Sequence, residues 1–102
     1  MSAAEPAEAL RTRWRDLVGT VLPRAAAERP DWPVNQDHCF ARILLDNACG
    51  RPWREVIAAP AWREAPPGVL ADACALGDAV LDDTADLGAL NRRSLSLRGK
   101  LP

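Results

Sequence analysis

Nine prolines decide what this chain can fold into. Pro6 suits the first turn of a helix, where a missing amide costs nothing. Pro23 supplies no amide and crowds the turn before it, so it must kink or restart any helix that reaches it. Pro30-Asp31-Trp32-Pro33 ends helix altogether. Pro52, Pro60 and Pro66-Pro67 divide the middle of the chain into short pieces. No piece alternates with period two in β-branched residues, so no strand is expected.

The pieces carry helical periodicity instead. Leu10, Trp14, Leu17 and Val21 recur at i, i+4, i+7 and i+11, with Glu8, Arg11, Arg15 and Asp16 opposite, which predicts an amphipathic helix from about Pro6 to Leu22. Asn35 or Asp37 can cap a second helix running to about Cys49, with Gly50 as its stop. Its apolar arc of Phe40, Ile43 and Leu44, widened by Ala41, Leu45 and Ala48, marks it as the central, mostly covered element. A short helix over Trp53–Ala58 is expected to end at Pro60, with Trp62 in a loop closed by Pro66-Pro67. Val69, Leu70, Ala73, Leu76, Val80 and Leu81 share one face of a fourth helix. Asp83 or Thr84 caps a fifth, on which Leu87, Leu90, Ser94 and Leu97 share a face. The expectation is an all-α, single compact bundle of about five short helices, forming one domain over residues 1–102.

Charge narrows the function. Thirteen Lys+Arg stand against 14 Asp+Glu, a net charge of −1, which excludes a general polycation for nucleic acid or membrane. A hydrophobic share of 48% with 26% charged residues is globular rather than disordered composition. Every basic residue except Lys100 is arginine, a pattern that GC-rich coding produces by itself. No apolar run approaches the roughly 18–20 residues of a membrane span. The start, Met1-Ser2-Ala3-Ala4-Glu5-Pro6, has neither the basic region nor the apolar stretch of a signal peptide. Three cysteines, Cys39, Cys49 and Cys74, cannot all pair within one chain, so free thiols in the cytoplasm are expected.

The densest polar constellation lies on the second helix. His38, Arg42 and Asp46 are spaced i, i+4, i+8, bringing an imidazole, a guanidinium and a carboxylate onto one face, with Arg51 and Trp53 just beyond its end. As architecture, this is a ladder in which Arg42 pairs with Asp46 and His38 packs at the helix start. As function, it is a face for a partner protein or a small anionic ligand, since His, Arg and Trp are frequent contact residues. Asn47 projects from the apolar arc and is expected to be structural, tying a loop such as Trp32-Pro33-Val34 to the helix. The cysteines and His38 show no paired C-x-x-C or H-x-x-x-H unit, so no metal and no cofactor is expected, and Cys74 reads as a small core hydrophobe. His38 and Cys39 diverge by about 100° around a helix, which disfavours a Cys/His nucleophile. Trp14 reads as core; Trp32, Trp53 and Trp62 sit beside prolines and read as pins for irregular segments. The one locally basic segment carries Arg92, Arg93, Arg98 and Lys100, which point in different directions around a helix.

Two stretches carry a resemblance. Pro33-Val34-x-x-Asp37-His38-Cys39-Phe40-x-Arg42-Ile43-x-Leu45-Asp46 with Gly50-x-x-Trp53, and Leu90-Asn91-Arg92-x-Ser94-Leu95-x-x-Arg98-Gly99-Lys100, resemble a family of small bacterial proteins of unsettled function. Members of that family often carry a GNAT-type acetyltransferase label. The resemblance spans most of residues 33–100 and implies that the second-helix stripe and the C-terminal segment are two halves of one surface.

The function expected from the sequence is a non-enzymatic binding module using His38, Arg42 and Asp46, flanked by Arg51 and Trp53. One alternative is an enzyme or enzyme subunit, acetyltransferase-related by label only, with His38 as acid/base and Arg42 as anion clamp. A concavity lined by both residues would favour it. The other is nucleic-acid binding through Arg92, Arg93, Arg98 and Lys100 with Trp53 stacking.

Overall fold

Leu17 and Leu22 are both almost completely buried, yet they lie five residues apart. In an unbroken α-helix they would face directions about 140° apart. The backbone resolves this with a π turn. A computed structural model of the chain describes residues 4–100, with side chains from residue 7. In it α1 (Ala4–Asp16) runs into a π turn (Leu17–Val21) and on into α2 (Leu22–Ala27), without a break. The Leu22 amide bonds to the Leu17 carbonyl, the wide i→i−5 closure that brings both leucines onto the core side. The same widening accommodates Pro23, which supplies no amide to an ordinary turn. The sequence expectation of a kink or restart at Pro23 is met by this device.

α3 (Asp37–Cys49) is the central helix. Phe40, Ile43, Leu44, Leu45, Asp46 and Asn47 are all buried on it, and it packs against α5, α6 and the π turn. Gly50 ends it in the left-handed conformation, φ 72°, with its amide on the Asp46 carbonyl at 2.8 Å. At the other end Gln36 takes the cap position without a side-chain bond, and Asp37 Oδ1 accepts from the His38 amide at 2.6 Å.

The middle of the chain departs from expectation. The helix expected over Trp53–Ala58 is one 3₁₀ turn, Trp53–Glu55. The Ile57 amide closes on the Trp53 carbonyl at 2.9 Å and turns Ile57 into the core, after which Pro60 keeps Ala59 out of helical conformation. Trp62, expected in a loop, lies in a single helical turn, α4 (Ala61–Glu64). α5 (Pro67–Leu81) begins on Pro67 as its first-turn proline. α6 (Leu87–Leu97) is capped by Asp86, whose carboxylate accepts from the Gly88 amide at 2.9 Å; the cap is neither Asp83 nor Thr84. Those two belong to the turn that closes α5, in which the Thr84 and Ala85 amides both reach the Ala79 carbonyl and Asp83 takes φ 60°.

The protein is an all-α compact bundle, 71% helical, with no strand among the described residues. Its radius of gyration, 13.2 Å, matches the roughly 13 Å of a 100-residue globule. Trp14, Leu17, Phe40, Leu44, Leu70 and Val80 fill the centre. Cys74 is buried among them, as its place on the apolar edge of α5 predicts. Trp32 lies edge-on to Phe40, ring centroids 5.9 Å apart, and so pins the proline-rich 30–33 segment to the core. No helix among the described residues is long and apolar enough to cross a membrane.

Candidate functional site

The His38–Arg42–Asp46 stripe divides between two places. Arg42 and Asp46 do not pair with each other; both turn to α6. Arg42 donates from Nη1 to Ser94 Oγ and from Nη2 to Asn91 Oδ1, each at 2.8 Å. Asp46 has no exposed surface and accepts four hydrogen bonds. Ser94 Oγ donates to its Oδ2 at 2.7 Å, and the Trp53 amide donates to its Oδ1 at 2.9 Å. Arg98 closes both oxygens, Nε to Oδ2 at 2.6 Å and Nη2 to Oδ1 at 3.0 Å. A buried carboxylate is tolerable only when its lone pairs are met in this way. The hydrogen bond to Asp46, more than burial opposes it, holds the Arg98 guanidinium still more firmly in its charged form.

This polar seam joins α3 to α6 and anchors the start of the 53–55 turn. Its fourfold bonding consumes the chemistry of Asp46 and removes Arg98 from the solvent-facing basic segment. Arg92, Arg93 and Lys100 remain exposed. Asn47 sits beside the seam and donates from Nδ2 to the Ile43 carbonyl at 2.8 Å and the Leu90 carbonyl at 2.9 Å. It ties α3 to α6 and not to the 32–34 loop, because its side chain leaves α3 on the α6 side. Arg51, expected to flank the site, pairs with Glu55 at 3.6 Å, an exposed i,i+4 contact.

His38 and Trp53 lie elsewhere, on an open groove of ≈ 440 Å³ between α1, α3 and the 53–62 segment. Val18, Ala41 and Leu45 contribute to its apolar lining, and Trp53 and Trp62 stand on it from the 53–62 segment. Arg15 lies over the Trp62 ring, 4.4 Å from its centroid, and Arg54 over the Trp53 ring at 5.2 Å. The imidazole of His38 is 73% exposed, with Nδ1 3.5 Å from Asp37 Oδ1. Arg42 does not line this groove; its guanidinium is turned to Asn91 and Ser94. His38 therefore stands on this groove without Arg42 beside it as an anion clamp.

Sequence reasoning missed Arg15 and Trp62 as site residues. Arg15 reads as the solvated face of α1, and Trp62 as a loop pin. Their meeting depends on how α4 packs against α1, and no local spacing encodes it. Arg54 adjoins Trp53 in the chain, and no spacing marks it as the group that lies over that ring.

Among the described residues, no three His, Cys, Asp or Glu side chains gather as a metal site would require. The Cys49 thiol is held above its ordinary pKa by burial and then by the Asp46 carboxylate. Cys74 is also raised by burial, opposed by Arg13 and assisted by Asp78. Neither is an activated nucleophile.

Fold and site together define a small all-α protein with a buried polar seam and a separate aromatic groove. Comparison with known proteins finds no family model, no curated protein and no solved structure that matches the chain.

Proposed function

We propose that the chain is a non-enzymatic interaction module and that the groove carrying His38, Trp53, Trp62, Arg15 and Arg54 is its binding face. The supporting observation is the pair of guanidiniums stacked on indoles beside an open apolar floor. Trp and Arg are the residue types that concentrate binding energy at interfaces, and an open groove leaves a reacting group wet. Arg42, Asp46, Ser94 and Arg98 form the frame that holds α6 and the 53–55 turn in place, so they act on binding through Trp53 and not by contact. Three free thiols suit a reducing cytoplasm, where the proposal places the protein. Bacterial membership rests on the motif resemblance alone, as does acetyl transfer; Arg42 does not line the groove on which His38 stands.

The test is cross-linked co-purification from the native host with wild type, the Trp53→Ala/Trp62→Ala double variant and Arg42→Ala, each with its melting temperature. The groove variant is expected to lose its partners while remaining folded, and Arg42→Ala to lose stability first. A folded groove variant that keeps every partner overturns the proposal.

A further inference from the structure

Six of the twelve arginines of this chain are held by a side-chain partner. Arg13 is paired with Asp78, Arg29 with Asp83, Arg51 with Glu55, Arg63 with Glu64 and Arg98 with Asp46. Arg42 is held by Asn91 and Ser94. Among the described residues, neither Arg15 nor Arg54 lies within ion-pair distance of a carboxylate, although the chain as a whole carries one more acid than base. Arg24, Arg92 and Arg93 likewise have no ion pair among the described residues but do not line the groove; Arg15 and Arg54 are the two that lie over its tryptophans. Arg11 adds to them: it lines an adjoining hollow with Arg15 and Trp62, and its buried Nε has no partner. Two carboxylates stand on the same side. Glu8 lines the hollow, and Asp37 lines the groove with one oxygen already accepting from the His38 amide.

We infer that the occupant of the groove is a short acidic segment of a partner protein, in which a bulky apolar side chain neighbours one or two carboxylates. The inference rests on the interaction-module reading and names the chemistry of its partner. A guanidinium seated over an indole ring is held in place by it, and its N–H donors stay available for the two oxygens of a carboxylate. The floor of Val18, Ala41 and Leu45, with the indole faces, offers an apolar anchor a place out of water. The groove is open to solvent, which suits a segment of chain and not a small molecule that must be enclosed. A single-stranded nucleic acid would need bare aromatic faces and a row of unpaired cations. Here guanidiniums already cover the indoles, and the net charge is −1.

The experiment is a fluorescence-anisotropy titration of the full chain with three labelled decapeptides and a labelled oligouridine. The first peptide interleaves Asp with Leu and Phe; the second replaces each Asp by Asn; the third keeps Asp and replaces Leu and Phe by Ala. The first is expected to bind, the second and third to bind about tenfold or more weakly, and Arg15→Ala/Arg54→Ala to lose about tenfold for the first peptide only. Its affinity should fall with added salt. Equal binding of the Asp and Asn peptides, abolished by Trp53→Ala/Trp62→Ala, overturns the acidic occupant and leaves the groove reading standing. Binding of the first peptide that survives both double variants overturns the groove itself. No binding of any peptide up to about 1 mM, or binding of oligouridine in preference to the first peptide, overturns the inference while leaving partner co-purification as the separate measure of the groove.

Discussion

Arg98 grips both carboxylate oxygens of Asp46 across the seam between α3 and the end of α6, at 2.6 and 3.0 Å. Asp46 is completely buried, while the Arg98 side chain keeps 25% of its surface in water. Arg98→Ala would strand a buried charge with only Ser94 Oγ and the Trp53 amide for company. The expected cost is about 2–4 kcal/mol, the lower part of the range reflecting the donors that remain. Arg98→Lys should recover only part of it, because an ammonium cannot serve both oxygens in parallel. Urea denaturation of the three proteins checks both statements.

Arg42 should behave as a partly buried tie and not as half of an exposed helical ladder. A ladder pair would be worth about 0.3–0.5 kcal/mol. Two charge-assisted bonds to Asn91 and Ser94 predict a loss of about 1–2 kcal/mol for Arg42→Ala. Ser94 Oγ accepts from Arg42 and donates to Asp46, so Arg42→Ala and Ser94→Ala should be non-additive in a double-mutant cycle. Additive losses would show that the serine does not link them.

Gly77 allows α5 to approach the π turn. A Cβ at this position would lie 2.5 Å from Leu17 Cδ2 and 3.3 Å from Leu44 Cδ1, both in the packed centre. Alanine ordinarily improves a helix by about 1 kcal/mol over glycine. Here Gly77→Ala should destabilise by about 1–3 kcal/mol through overpacking. Gly68→Ala, with open space around its Cβ, is the matched control. Thermal melts of both variants give the comparison.

The thiols supply a pH prediction. Burial raises the pKa of Cys49 and Cys74 in the native state, so the folded protein holds those protons more tightly than the unfolded chain does. Their contribution to stability is whole below the unfolded value of 9.0 and is lost as pH rises past it. Native protein at pH 8 should therefore alkylate at both residues more slowly than the same protein in denaturant. Mass-spectrometric mapping of iodoacetamide adducts reads the two rates, and equal rates would contradict the burial argument.

Helical spacing was enough to read α3 as central, Gly50 as its stop and Trp14 as core, because each depends on which residues share one face. It could also place His38, Arg42 and Asp46 together. It could not say what would face them. Arg42 and Asp46 are correctly spaced for each other, yet each finds a better partner on α6, some fifty residues along the chain. The same limit hid the Arg15–Trp62 stack, made by α4 crossing α1. The cap of α6 moved to Asp86 for a different reason: the turn closing α5 consumes Thr84 and Ala85, so the next helix cannot begin there.

The π turn over Leu17–Val21 has a meaning for chain length. A π turn is a helix carrying one residue more than its neighbours require. Without Gly19, Leu17 and Leu22 would stand four apart, the ordinary interval at which an α-helix returns to one side, and both could still enter the core. An extra residue in the middle of α3 has no such slack, since it would turn Asp46 and Asn47 by about 100° away from α6. Tolerance of single-residue length changes should thus be concentrated at the exposed Gly19, with the strictest counting of residues between Phe40 and Gly50.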